Sequence, residues 1–401
     1  MDKIVVVGAG QAGASLVARL RGLGHCGPIT LIGQEPVPPY QRPPLSKKYL
    51  LGEMEVERLY LRPESFYSEN DIALLTDVRV DAIDRRGKTV SAGGEQMSYD
   101  HLALTTGSVP RRLPAAVGGD LQGVHVVRTL ADVDAMAPAF VDGARVLIVG
   151  GGYIGLEAAA VAASKGMVVT LIEMADRILC RVAAPETSDY FRALHRSHGV
   201  DIREATGLTR LTGETHVGGA ILDDGTELPL DLVVVGIGIA PATDLAEAAG
   251  VEIENGIRTD AIGRTSDPAI WAAGDCASFP YRGERIRLES VQNAIDQAEC
   301  VAGNILGANK DYAPVPWFWS DQFDCKLQIA GLNSGYDRIV TRNGGDTVSF
   351  WYYGGGKLLA VDAMNDARAY MIGKRLIEMG KSPDPAMIAD ADADLKPLLR
   401  G

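Results

Sequence analysis

The stretch that most constrains this chain runs from Arg145 to Glu173, RVLIVGGGYIGLEAAAVAASKGMVVTLIE. Val146–Val149 is a short apolar run of the kind that forms a buried parallel strand. Gly150, Gly152 and Gly155 follow in GxGxxG spacing, then an alanine-rich helix that Gly166 can end, then a second apolar strand, Val168–Ile172, closed by Glu173. Each part has a physical role. Gly150 permits a tight turn, Gly152 lets the backbone approach a pyrophosphate, and Gly155 lets helix and strand pack closely. The pyrophosphate of a dinucleotide then meets free N–H groups at the positive end of the helix. Glu173, 23 residues after Gly150, can accept from a ribose 2′-hydroxyl. The spacing alone is weak; strand, helix, second strand and terminal acid together make it informative.

The pattern occurs twice. Residues 4–35 read IVVVGAGQAGASLVARLRGLGHCGPITLIGQE, so Gly8, Gly10 and Gly13 fall on Gly150, Gly152 and Gly155. Ile29–Ile32 repeats the second strand, but Gly33 aligns with Glu173, and the acid, Glu35, comes two positions later. One such unit would bind a single cofactor; two predict a pair of nucleotides brought face to face.

Length and charge narrow the remaining classes. A chain of 401 residues is long enough for two or three domains. A net charge of −13 argues against nucleic acid as a partner, although a local basic face remains compatible with it. The five cysteines, at 26, 180, 276, 300 and 325, form no CxxC, which disfavours a zinc ribbon, an iron–sulfur cluster or a redox dithiol. Scattered thiols, odd in count, fit a reducing, cytoplasmic setting. A core strand begins by Ile4, leaving no room for a signal peptide, and no uncharged apolar run is long enough to cross a membrane.

Along the chain, the five prolines of residues 36–44 predict an extended segment carrying Arg42 and Lys47 across a bound cofactor, or else a stiff solvated loop. Arg85–Lys88 reads as a hairpin turn, Asp100–Ser108 as a strand entering a small-residue turn, and Pro110 and Pro114 as a linker. The strand ending at Gly274 puts Asp275 at its carboxyl end, where α/β sheets bind ligands; Asp275 can equally be an N-cap for the next helix. Beyond residue 310 the composition shifts to β-prone stretches and a helix near Tyr370–Met379, an α+β domain whose last twenty residues read as loosely held.

Taken together, these residues resemble the bacterial FAD-dependent, NADH-oxidising ferredoxin reductases of oxygenase systems. The resemblance covers essentially the whole chain. It rests on GAGQAG (8–13), PYQRPPLSK (39–47), TTGSVPR (105–111), VVRTLAD (126–132), GGGYIGLE (150–157), GIGIAP (236–241), AAGDCA (272–277), ESVQNA (289–294) and PWFWSDQ (316–322). The fold it implies is α/β, with two Rossmann-like domains, one inserted in the other, and a C-terminal α+β domain. Residues 1–110 and 240–309 would form the FAD domain, 111–239 the NADH domain and 310–401 the cover over the flavin. For FAD the resemblance implies Gly8, Gly10, Ala12, Gly13, Glu35, Arg42, Lys47, Thr106, Gly107, Arg128, Gly274, Asp275, Ser290, Val291 and Trp319. For NADH it implies Gly150, Gly152, Tyr153, Ile154, Gly155, Glu173, Gly236, Ile237 and Gly238. Gln34 departs from the acid that relatives often carry there, which weakens the assignment of Glu35 to the FAD ribose.

The reaction implied joins a two-electron donor, NADH, to a two-iron two-sulfur ferredoxin that accepts single electrons; the flavin makes that conversion. The protein must hold the nicotinamide within about 3–3.5 Å of the flavin. No nucleophile and no metal are needed. Lys47 is expected to pair with Glu157, in the first turn of the NADH-binding helix, beside the flavin, with Trp319 on the electron path. His101, His195 and His198 read as structural. Arg62, Arg285, Arg287, Lys326 and Lys374 flank the flavin motifs and form a candidate docking face for an acidic ferredoxin. Two other readings stay open: a flavin disulfide reductase or NADH peroxidase, which would need a redox cysteine near the flavin, and a redox-sensing protein like apoptosis-inducing factor. A quinone-reducing NADH dehydrogenase would want an amphipathic C-terminus; residues 370–401 carry scattered acids and prolines instead.

Overall fold

The computed structural model describes residues 1–400. Two compact units divide the chain: Met1–Arg42, Glu55–Val109 and Ile239–Pro314 form one, and Pro43–Met54, Pro110–Gly238 and Val315–Gly401 the other.

In the first unit five strands lie in the order Ile270–Ala272, His101–Leu104, Ile4–Val7, Ile29–Ile32, Ile72–Leu75. All are parallel. The central strand is buried at every position, as a parallel strand covered on both faces must be. Its side chains alternate between two cores. Ile4 and Val6 join Leu16, Leu20, Ala298 and Val301 from the helices Gln11–Gly22 and Val291–Ile305. Val5 and Val7 join Ile83, Val90 and Ala92 from the three-stranded meander Val80–Asp84, Thr89–Ala92, Glu95–Ser98. The hairpin expected at Arg85–Lys88 is the first turn of that meander.

The second unit repeats the sheet, in the order Asp201–Arg203, Val168–Ile172, Arg145–Val149, Leu232–Val235, Val124–Val126, again all parallel. Its helix Tyr153–Ser164 is buried from Gly155 through Ala162, which suits a sequence apolar on all sides. Small alanine side chains let it sit between its own sheet and the strand Trp317–Gln322. That strand is the edge of an antiparallel sheet of order Trp317–Gln322, Cys325–Gly331, Lys357–Met364, Val348–Gly354, Arg338–Asn343. The helix Ala367–Glu378 covers it, burying Ile372 and Leu376 against Trp351 and Val361.

Two expectations are corrected here. The segment after Arg42 is not extended: Pro43–Ser46 is a 3-10 turn. Proline suits the start of such a turn because the N–H it lacks would have no partner there. The C-terminal segment is not loose. Ile388 and Leu395 are buried, and the Arg342 guanidinium donates to the carbonyls of Ile388, Asp390, Ala391 and Ala393. A planar group with five donors satisfies an irregular backbone that no strand or helix would.

Candidate functional site

The two glycine turns are built alike, atom for atom. Gly8 has φ +111°, and a Cβ there would meet the Thr105 carbonyl oxygen at 2.2 Å; Gly150 has φ +108°, and a Cβ would meet the Gly236 carbonyl oxygen at 2.4 Å. A Cβ on Gly13 would lie 2.1 Å from the Gly8 oxygen, and one on Gly155 would lie 2.0 Å from the Gly150 oxygen. These four glycines are demanded by packing and backbone geometry. Gly10 and Gly152 differ: a Cβ on either would meet nothing within 4 Å. Protein packing gives no reason for glycine there; a pyrophosphate lying on the turn would. Each N-caps its helix with no side-chain hydrogen bond and no acid in the first turn. The residues fit a dinucleotide at both turns.

In the first unit Thr105 locks the turn, donating from Oγ1 to the carbonyls of Val7 and Gly8. Thr106 donates to the Ala242 carbonyl, and Gly107 follows with φ +71°. Glu35 accepts from the Tyr40 hydroxyl at 2.6 Å and from Arg42 Nη2 at 2.6 Å. Its carboxylate is thus fixed by these two partners. Asp275 follows Gly274 and accepts from Ser108 Oγ at 2.9 Å. It is not an N-cap: a strand, Ala277–Tyr281, comes next, and Ser290 caps the following helix by accepting from the Asn293 N–H. Val291 therefore opens that helix. Beside Gly274, and found by no motif, Gln297 is buried; its Oε1 accepts from the Gly274 N–H, while its Nε2 has no partner. An unpaired buried amide at a glycine-lined turn fits a bound group with acceptor oxygens. Burial pushes the Cys276 thiol up, as befits a small core residue.

Arg285 and Arg287, expected on a docking face, turn inward instead. Arg285 donates to the carbonyls of Thr259 and Ser278. Arg287 donates to those of Asn255 and Asp275 and pairs with Glu289. Their side chains are only 19% and 12% exposed, because irregular backbone beneath them needs donors. Arg62 stays exposed over the Phe66 ring.

In the second unit Glu173 stands at the mouth of its turn, accepting from the N–H groups of Gly151 at 2.7 Å and Ala175 at 2.8 Å. Arg177, the nearby cation, is committed elsewhere, to Ser188 and to the carbonyls of Cys180 and Ala183. Gly236 and Ile237 form the facing turn, and Gly238 follows with φ +96°. Arg181, singled out by no sequence argument, has its guanidinium 3.5 Å from where a Gly238 Cβ would be. Ile154 is exposed at the helix start, and the Tyr153 ring packs 4.9 Å from Phe318. Arg128 is half-buried just before the helix Leu130–Met136.

Glu157 lies in the second turn of its helix, not the first, because Gly152 is the N-cap. It is buried, and Lys47 Nζ is 2.7 Å from its Oε2. Ser46 Oγ donates to the same oxygen at 2.9 Å, and Ser320 Oγ donates to Oε1 at 2.7 Å. Trp319, half-buried, points to the opposite face of its strand, 5.6 Å from Trp317 between centroids. Lys374 Nζ sits 5.2 Å over the Trp317 ring, and Lys326 is exposed.

One buried carboxylate in this unit has no cation among the described residues. Asp362 accepts from the Tyr352 hydroxyl at 2.5 Å and from Thr187 Oγ1 at 2.8 Å. Burial pushes it up to about 6, against the pull of both donors.

Residues 2–298 match the family model described as pyridine nucleotide-disulphide oxidoreductase, and residues 317–399 match one described as reductase C-terminal. The chain is 46% identical over 395 residues to a ferredoxin–NAD(P)(+) reductase of Sphingomonas sp, covering 96% of this chain and 94% of the relative. It is 40% identical over 408 residues to a putidaredoxin reductase of Pseudomonas putida, covering 99% and 97%. Among solved structures it is similar to the reductase in the covalent putidaredoxin reductase–putidaredoxin complex, with TM-score 0.96 and 40% identity over 99% of this chain and 98% of that one.

Proposed function

The chain belongs to the pyridine nucleotide-disulphide oxidoreductases, and from that premise we propose that it draws electrons from NADH through FAD and passes them singly to a two-iron two-sulfur ferredoxin serving a monooxygenase or dioxygenase. The observation that carries this reading is the doubled turn in which Gly10 and Gly152 each face open space. FAD, when bound, supplies the conversion between paired and single electrons.

The chain's own residues bind, orient and balance charge. Residues 1–110 and 240–309 hold FAD: Gly8, Gly10, Ala12 and Gly13 at its pyrophosphate, Glu35 and Arg42 near its adenosine. Thr106, Gly107, Arg128, Gly274, Asp275, Ser290 and Val291 hold the rest. Residues 111–239 hold NADH: Gly150, Gly152, Tyr153, Ile154 and Gly155 at the pyrophosphate, Gly236, Ile237 and Gly238 on the facing turn, and Glu173 at the ribose. A carboxylate accepts from two hydroxyls and repels a 2′-phosphate, and Arg177 is tied down where it would offset that repulsion. Lys47 sets a positive charge against negative charge arising at the flavin, and Glu157 holds that lysine in place. Residues 310–401 bring Trp319 to the electron exit. Arg62, Lys326 and Lys374 remain as docking residues for an acidic ferredoxin, while Arg285 and Arg287 serve Asp275 and its neighbours instead. Five unpaired cysteines support a cytoplasmic setting; among the described residues no helix is long and apolar enough to cross a membrane.

The test is steady-state NADH oxidation by the purified holoenzyme with and without added ferredoxin, under air. The proposal expects ferredoxin to accelerate turnover at least tenfold over oxygen alone. Equal rates would refute it and favour an oxidase, or a slow redox-sensing protein.

A further inference from the structure

The Lys47–Glu157 pair does not stand alone: it is the end of a buried hydrogen-bonded chain that runs into the C-terminal sheet. Ser320 Oγ donates to Glu157 Oε1 at 2.7 Å. Gln322 Nε2 donates to Ser320 Oγ at 3.2 Å. Gln322 Oε1 lies 2.8 Å from His195 Nε2. A carbonyl oxygen only accepts, so the His195 proton is on Nε2. Burial keeps this imidazole neutral, drawing it down to about 4. Its Nδ1 has no partner. Ser320, Gln322 and His195 are all buried. Every donor in the chain therefore points toward Glu157, and Ser46 and Lys47 meet it from the other side.

Strand geometry explains why these residues carry the chain. Alternate side chains of a strand face opposite ways. Along Trp317–Gln322 one set is Trp317, Trp319 and Asp321, and the other is Phe318, Ser320 and Gln322. Phe318 packs on Tyr153, Ser320 binds Glu157 and Gln322 binds His195. One strand thus presents Trp319 on one face and anchors the acid of the ion pair with the other.

We propose that Ser320 and Gln322 are positioning residues for the NADH half-reaction: they fix the Glu157 carboxylate so that it holds Lys47 at the reacting site. The C-terminal domain, on this view, takes part in the NADH half-reaction through the Glu157 carboxylate that its strand Trp317–Gln322 anchors. The inference rests on the role assigned above to Lys47 and Glu157. Without the Ser320 hydroxyl, a buried carboxylate oxygen loses its donor. Glu157 and Lys47 then turn toward other partners, and the charge that opposes the flavin is misplaced by a distance on the order of an ångström. Displacements of that size cost about a hundredfold in well-oriented reactions.

The test is anaerobic rapid mixing of NADH with holoenzyme, following flavin bleaching across NADH concentrations, for wild type, Ser320→Ala, Ser320→Thr, Asp321→Ala and Glu157→Gln. The infrared carboxylate stretch of Glu157, isolated by subtracting Glu157→Gln, is recorded on the same samples. Ser320→Ala is expected to lower the limiting reduction rate at least tenfold, leave the apparent NADH dissociation constant within about twofold, and shift the Glu157 band. Ser320→Thr, which keeps the hydroxyl, restores both rate and band, and Asp321→Ala, facing the other way, changes neither. A slow Glu157→Gln beside a wild-type rate in Ser320→Ala overturns this inference alone. A wild-type rate in Glu157→Gln overturns the assignment of the ion pair and this inference with it. If Ser320→Ala does not accumulate as holoenzyme, Gln322→Ala, one bond further out, takes its place with the same rate criterion.

Discussion

Asp362 makes a prediction that depends only on burial. Among the described residues its carboxyl has no cation, and only Tyr352 and Thr187 donate to it. Burial pushes it up to about 6 in the folded chain, whereas in the unfolded chain it titrates in the ordinary carboxylate range. Between about pH 4 and 6 the folded protein therefore holds a proton that the unfolded chain has lost. The associated stability is present in full below pH 4 and drains away as the pH rises through 6. Holding that proton across a window of about two pH units is worth about 3 kcal/mol. Asp362→Asn keeps an acceptor for both hydroxyls and removes the titration. Relative to wild type, the variant should gain roughly 3 kcal/mol of stability between pH 4 and pH 7.5. The assay is isothermal urea unfolding of the FAD-loaded protein at pH values spanning that window. Far-ultraviolet circular dichroism and Tyr/Trp emission should be followed together, since a chain of several domains need not unfold in one step. A difference between variant and wild type that stays constant from pH 4 to 7.5 would refute the reasoning.

Three further outcomes follow from the geometry. Glu173→Ala should erode the NADH preference in kcat/KM by tenfold or more, because Glu173 stands at the turn and Arg177 is engaged elsewhere; an unchanged ratio would contradict it. Gly155→Ala and Gly152→Ala should diverge. The first forces a Cβ to 2.0 Å from a carbonyl and should destabilise by about 1–3 kcal/mol or more. The second meets no protein atom and should keep the melting temperature while raising the NADH KM. Lys326→Glu should raise the ferredoxin KM, and added salt should slow ferredoxin reduction, while ferricyanide reduction changes in neither case.

Apart from the Lys47–Glu157 pair, which the family resemblance brought together, the parts of this molecule that the sequence revealed are local ones. Both glycine turns are legible because three glycines of fixed spacing set the turn, the helix start and the packing. The hairpin at Arg85–Lys88 and the helix after Ala367 follow from turn residues and periodicity in the same way. What stayed hidden joins distant residues. Ser46 and Ser320 reach Glu157 across 111 and 163 positions, and only the fold brings them there. Strand alternation would have placed Ser320 and Gln322 opposite Trp319, but not named what they meet. The C-terminal segment looked loose because its composition is polar; Arg342, 46 to 51 residues upstream, holds its carbonyls. Arg285 and Arg287 looked like surface charge for the converse reason, since a sequence does not show which backbone carbonyls lack partners. Glu157 falls in the second turn because the helix already begins at Tyr153, directly after the Gly152 cap, which makes Glu157 its fifth residue.

The most direct test of electron passage from NADH to a single-electron acceptor is its stoichiometry. Holoenzyme is given one equivalent of NADH under strict anaerobiosis and then mixed with excess oxidised two-iron ferredoxin, and ferredoxin bleaching is counted. NADH releases two electrons and each ferredoxin takes one, so the account predicts two ferredoxins reduced per NADH consumed. NADH oxidation with no ferredoxin reduced would contradict it.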